Sequence, residues 1–290
     1  DTLGCASALS RALIALGKSV MFRCADPVPP KFTYLFEGIE YGEFEPEHIV
    51  TVDVADKTLL GSLEPYGDKT DFAIDHHASC PFAKETWVEG TAGAACELIA
   101  RLIPALGAEI TPKIADCLYT GISTDTGCFR YPYASANTYR IAADLLEHGA
   151  NAAEINRLMF DTKSRAAVAL LKRLYGDMEF HCDGKCAVFS LTNDVIAETG
   201  ASEDDLDGVS AMVRQVEGVL LGFTLREREG GVWKVSMRAT NPADASVVCA
   251  KFGGGGHKGA AGCSLTGELE DVKARVVAAC GEAIKALENQ

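Results

Sequence analysis

Apolar and polar positions recur along this chain in two rhythms, one near the helical period and one near the alternation of a strand, and their order constrains the fold. Gly4–Leu16 repeats small and apolar residues at helical spacing and meets a stop at Gly17. Ser19–Arg23 reads as a short strand, after which Pro27, Pro29 and Pro30 interrupt regular structure and Glu37–Glu47 forms an acidic loop. His48–Val54 is a β-branched, apolar run that predicts a strand buried on both faces. Asp71–Ile74 predicts another, running directly into Asp75-His76-His77. Helical spacing returns over Thr91–Ile103, Pro112–Ile122, Ser135–Glu147 and Ala152–Phe160, with Thr111 as N-cap and Pro112 at the first turn of the second of these. Strands alternating with helices predict an α/β fold, a mostly parallel sheet flanked by helices.

The pattern changes after Ser164–Tyr175, a basic helical stretch. Beyond it, Ala187–Leu191, Val219–Arg226 and Val232–Arg238 read as strands, the last two joined by a glycine-containing hairpin turn at Glu227–Gly231. Helices are predicted at Asp204–Val213, Ala245–Phe252 and Leu269–Leu287. The expected organisation is a first domain over 1–163, a linker helix over 164–177 and a smaller α+β domain over 178–290.

Composition narrows the function classes. The chain has 290 residues, 48% apolar and 23% charged, which suits globular domains and excludes a disordered or collagen-like chain. No apolar run approaches the ~18 residues of a membrane span. The formal charge is −14, from 41 acidic against 27 basic residues, so neither a long nucleic acid nor an anionic membrane is an expected partner. Eleven scattered cysteines without a CxxC pair predict a reduced, cytoplasmic protein. The chain opens at Asp1 with neither a methionine nor a signal-type leader, and an incomplete N-terminus is expected.

The candidate chemistry lies where apolar runs end. Val52-Asp53, Ile74-Asp75-His76-His77 and Gly121-Ile122-Ser123-Thr124-Asp125-Thr126-Gly127 each close such a run with a carboxylate or imidazole. In open α/β sheets the strands' carboxyl ends share one rim, so Asp53 and His76 are expected to converge, with Asp125 joining from the loop after its helix. Crowded carboxylates repel unless a cation neutralises them, and Asp plus His without thiolates at ligand spacing suits Mn²⁺ or Mg²⁺. Taken singly, each Asp is more simply a turn former or helix cap.

Together these segments resemble the DHH phosphoesterase superfamily. Asp75-His76-His77 matches its naming motif, Val52-Asp53 and Gly121–Tyr131 match two others, and Asp1-Thr2-Leu3-Gly4-Cys5-Ala6-Ser7 is similar to the second half of its first motif. The resemblance implies two divalent ions, Mn²⁺ or Mg²⁺, sharing Asp53, with Asp1, His76 and Asp125 completing one site. It implies His77 facing the substrate phosphate and Asp75 orienting the histidines. The family's upstream His and Asp, which would complete the other site, are not in this sequence, and Cys80 stands where the family often has Asn.

Phe252–Gly262 holds four consecutive glycines followed by His257 and Lys258. Glycines leave N–H groups bare for an anion, while a flexible turn is the plainer reading. The run resembles the DHHA1 domain signature, and Ser236-Met237-Arg238 resembles that domain's Ser-x-Arg strand. That implies a second domain across a cleft from the metal site. Arg238, Gly254, Gly255, Gly256 and His257 would hold the phosphate and nucleoside, with Arg130 as a further candidate. Within the superfamily the chain most resembles NrnA-type oligoribonucleases and pAp phosphatases. The expected substrates are short oligoribonucleotides, cleaved to nucleoside 5′-monophosphates, and 3′-phosphoadenosine 5′-phosphate (pAp). Cyclic or linear dinucleotides are the alternative within the class, and a nucleotide-binding module with an incomplete metal site is the alternative outside it. A homodimer is compatible with either. Cys182–Cys186 with His181 is only superficially a zinc half-site, since Asp183-Gly184 predicts a hairpin turn.

Overall fold

The computed structural model describes residues 1–77, 82–206 and 208–288. Cys80 lies outside the described residues. The chain divides into two compact units, Asp1–Thr162 and Lys163–Gln290.

The first unit contains α1 (Thr2–Ala15), β1 (Val50–Val52), α2 (Glu64–Gly67), β2 (Phe72–Asp75), β3 (Glu85–Val88), α3 (Cys96–Ala105), α4 (Pro112–Asp125), α5 (Ala136–Glu147) and α6 (Ala152–Asn156). The three strands form a parallel sheet in the order β1-β2-β3, with Val52 opposite Ile74 and Ile74 opposite Trp87. Leu98, Ile99, Leu118 and Ile122 are fully buried between α3 and α4. Each such side chain contributes about 1.5–3 kcal/mol by leaving water. Glycine sets how closely the helices approach. A Cβ on Gly4 of α1 would lie 2.6 Å from the Cys117 carbonyl of α4, and one on Gly121 would lie 2.2 Å from Cys96 Sγ.

Three expectations are corrected here. Ser19–Arg23 forms no strand: with β1 it lines a cavity of about 1910 Å³, and Val20 accepts the Gly42 N–H. The His48–Val54 strand shortens to β1 and is not buried on both faces, because it is an edge and Val50 is exposed. The Thr91–Ile103 helix starts late, at Cys96, which leaves 92–95 as a loop beside the sheet's carboxyl edge.

The second unit contains α7 (Arg165–Gly176), β4 (Glu179–His181), β5 (Cys186–Leu191), α8 (Asn193–Thr199), β6 (Leu221–Arg228), β7 (Val232–Ala239), α9 (Ala245–Ala250), β8 (Gly255–His257), β9 (Ala260–Thr266) and α10 (Leu269–Glu288). Its sheet runs β4-β5-β6-β7-β9-β8, with only β5 and β6 parallel. Alternation on β5 separates two cores. Cys186 and Val188 pack with α9 and α10, while Ala187, Phe189 and Leu191 pack with Leu170 and Leu174 of α7. The helix expected as a linker thus packs its apolar stripe into this unit. Asp204–Val213 is two short 3₁₀ turns rather than one helix, split at the left-handed Gly208. Cys182 and Asp183 form the left-handed β4–β5 turn, and neither Cys182 nor Cys186 joins a metal-competent group among the described residues.

The glycine run is a hairpin rather than an open loop. β8 pairs antiparallel with β9, Gly255 opposite Gly262 and His257 opposite Ala260. Gly253 ends α9 with a left-handed backbone at φ 74°, and Gly254 passes so close that a Cβ would sit 2.1 Å from the Gly262 carbonyl.

Candidate metal centre

Asp53 is the first residue beyond β1, and its N–H still continues the ladder to the Ile74 carbonyl at 2.9 Å. Its backbone is left-handed at φ 56°, a conformation an Asp holds only where its surroundings impose it. The turn drives the carboxylate back over the sheet edge, where Oδ2 accepts the Thr2 hydroxyl at 2.6 Å. Asp75 ends β2 and is completely buried. Its Oδ1 accepts both the His77 backbone N–H and His77 Nδ1–H, each at 2.8 Å.

His76 is oriented differently. Its Nδ1–H donates to the Ala92 carbonyl at 3.2 Å, which turns Nε2 toward the carboxylates. That nitrogen lies 3.3 Å from Asp125 Oδ2 and 3.6 Å from Asp53 Oδ1. Asp75 therefore orients His77 alone, and the expectation that it steadies both rings is corrected. Asp125 comes from the last residue of α4 and not from the loop after it, since the helix runs three residues past Ile122. Burial pushes the Asp125 carboxyl above its ordinary range, against the pull of His76.

Asp1 sits before α1 and reaches across to α3. Its Oδ2 accepts the Ala95 N–H at 2.6 Å and its Oδ1 the Cys96 N–H at 3.1 Å, so a residue distant in sequence satisfies the open N-terminus of α3. Cys5 Sγ–H adds a donor to Oδ1 at 3.4 Å. Burial and the neighbouring Cys5 push the Cys96 thiol up, so it serves here as a proton-bearing core group and not as a thiolate.

The ligand-capable atoms of Asp53, Asp75, His76 and His77 lie within 4.8 Å of one another, as do those of Asp1, His76 and Asp125. Among the described residues, Asp53 Oδ1, His76 Nε2 and Asp125 Oδ2 are buried and make no hydrogen bond. Two carboxylates crowd one imidazole here, and this donor set of oxygens with one ring nitrogen fits a divalent cation. Thr2 and Gly121 stood in the quoted motifs without a role of their own, and the backbone of Ala92, Ala95 and Cys96 was not singled out from the sequence. Thr2 had a signal, its place beside Asp1; backbone groups have none.

Among the other candidates, Arg130 donates Nε–H to the Gly127 carbonyl and lays its guanidinium 5.9 Å from the Phe160 ring centroid. In the second unit Arg238 on β7 and His257 on β8 both pair with Ala260 of β9. Residues directly opposite share a face, so these two project from the same side of the sheet about 10 Å apart, two strand spacings. Arg238 also donates to Ser210 Oγ at 2.9 Å. No helix among the described residues is long and apolar enough to cross a membrane.

Two family models match the chain, "DHH family, N-terminal domain" over residues 1–122 and "DHHA1 domain" over residues 183–286. A Thermus thermophilus protein named "Bifunctional oligoribonuclease and PAP phosphatase NrnA" is 34% identical over 97% of this chain and 86% of its own length. A Bacillus subtilis protein of the same name is 24% identical over 84% of this chain and 79% of its own. The crystal structure of an exopolyphosphatase-related protein from Bacteroides fragilis shares the fold, with TM-score 0.86 and 24% identity over 100% of this chain and 90% of that one.

Proposed function

The chain belongs to the DHH/DHHA1 phosphoesterases, and from that premise we propose that it hydrolyses short oligoribonucleotides to nucleoside 5′-monophosphates and removes the 3′-phosphate of pAp, using two divalent ions, Mn²⁺ by preference. It is a phosphoester hydrolase by family. Its substrates are read from the Thermus and Bacillus relatives, whose names carry both activities.

The observation that carries the reading is the convergence of Asp53 Oδ1, His76 Nε2 and Asp125 Oδ2, buried and without a hydrogen bond among the described residues. Asp53, His76, Asp125 and Asp1 would hold the metal, which supplies Lewis acidity at the phosphoryl oxygens when bound. The protein's own residues do the rest. Asp75 keeps the Nδ1 proton of His77, leaving Nε2 of that half-exposed ring directed outward; when the ring is protonated, Nε2–H donates to a phosphate oxygen. Thr2 and the turn at Asp53 fix the carboxylate without any side-chain search. In the second unit, Arg238 and His257 on one sheet face supply donors for a phosphate. Arg130, tied back to Gly127, is a secondary phosphate contact.

Incubating the protein and Mn²⁺ with a ribodinucleotide, pAp, cyclic di-AMP and pyrophosphate in parallel tests this reading. Hydrolysis of the first two is expected; turnover of pyrophosphate alone overturns it.

A further inference from the structure

The segment after α4 departs from ordinary backbone geometry. Gly127, Cys128 and Phe129 are all left-handed, with φ of 58°, 57° and 60°. Successive left-handed residues with bulky side chains are costly and persist only where the surroundings hold them. Here the Cys128 N–H bonds to the Ser123 carbonyl, the Phe129 N–H to Thr126 Oγ1, and the Arg130 and Tyr131 N–H groups to the Thr126 carbonyl. This tight reversal swings the chain back toward Asp125 and delivers two aromatic rings beside it.

Tyr131 lies flat on Gly127, where a Cβ would fall 2.6 Å from the ring, so only glycine seats it there. Tyr133 donates its hydroxyl to the backbone carbonyl of Asp125 at 3.0 Å. The ring centroids are 5.7 Å apart with the planes tilted by 49°, and the two residues remain 39% and 49% exposed. Single exposed tyrosines need no explanation. Two adjacent rings, one seated by a left-handed glycine and the other tethered to a residue of the metal centre, form a fixed aromatic surface at that centre's rim.

We propose that Tyr131 and Tyr133 form a stacking platform for the nucleobase next to the phosphate being hydrolysed. The inference rests on the phosphoesterase reading above and adds what recognises the nucleoside in the first unit. Every nucleobase has a π face, so the platform accepts all four and confers affinity without base preference. The Tyr133 hydroxyl is occupied by the Asp125 carbonyl, so that ring offers its face rather than a donor to a base edge.

The test uses the whole chain with Mn²⁺ and two substrates, a ribodinucleotide and the same compound with its base removed beside the scissile phosphate. In Tyr131→Leu and Tyr133→Leu, KM for the dinucleotide should rise about tenfold per lost ring while kcat stays within about twofold. The abasic compound should be hydrolysed by both variants as by wild type, and Tyr131→Phe should restore the dinucleotide KM. Equal losses on both substrates, or no change on either, overturn the platform while leaving the hydrolase reading in place. Wild-type protein that hydrolyses neither compound overturns that reading and the platform with it.

Discussion

Asp53 joins two properties that ordinarily conflict, a left-handed backbone and a buried carboxylate oxygen that makes no hydrogen bond among the described residues. Asn tolerates left-handed geometry nearly as well as Asp, so Asp53→Asn separates charge from strain. The variant should keep the wild-type melting temperature without metal while hydrolysis falls at least about 100-fold, the upper range for losing even an outer partner of a metal site. Retained turnover would remove Asp53 from the centre. Asp75→Asn should cost about 10–100-fold in activity, because a neutral amide replaces the carboxylate charge that holds the His77 Nδ1 proton and can turn its NH2 toward the ring; NMR of the imidazole nitrogens checks whether the ring loses its single tautomer. Both positions were legible in the sequence because each ends an apolar run and belongs to a dense local pattern. Asp1's hold on α3 was not legible, because its partners there are the backbone N–H groups of residues nearly a hundred positions away, which carry no residue signature.

At the level of elements, glycine hid what β-branched residues announced. β5, β6 and β7 were expected within about two residues of their limits, since their alternation is the physical cause of the sheet faces they build. β8 and β9 escaped, because the glycines and alanines of β8 and the start of β9 give no alternation and glycine resists strands. Yet the run is tightly specified. Gly254→Ala drives a Cβ to 2.1 Å from the Gly262 carbonyl, whereas a Cβ on Gly255 meets nothing within 4 Å. Gly254→Ala should therefore lose about 1–3 kcal/mol of stability in urea unfolding, and Gly255→Ala less than about 0.5 kcal/mol. Equal effects would mean that the glycines serve chain flexibility and not the close approach of two strands. Ser19–Arg23 shows the converse: a segment with strand propensity belongs to neither sheet among the described residues.

In the molecule as a whole, every carboxylate and imidazole of the metal centre belongs to Asp1–Thr162, and the two units bury separate cores. Binding that occurs only in the folded state stabilises by mass action, by about 2.7 kcal/mol at a ligand concentration 100 times Kd. The centre's charges add a reason for the effect to be large, since Asp1, Asp53 and Asp125 crowd one rim in a chain of net charge −14 and their repulsion is relieved by a cation. Mn²⁺ should therefore slow amide exchange in α1, α3, α4 and the β1–β2 edge while leaving β5, β6 and β7 at their metal-free rates. Protons compete for the same oxygens. Because burial raises the Asp125 carboxyl, it takes up a proton at higher pH than an ordinary Asp, so Mn²⁺ affinity should weaken as pH falls through that raised value, with proton release on binding measurable by calorimetry in buffers of different ionisation enthalpy. Protection appearing equally in both units would place the ion somewhere other than the Asp53–His76–Asp125 convergence, because no ligand of that cluster lies beyond Thr162.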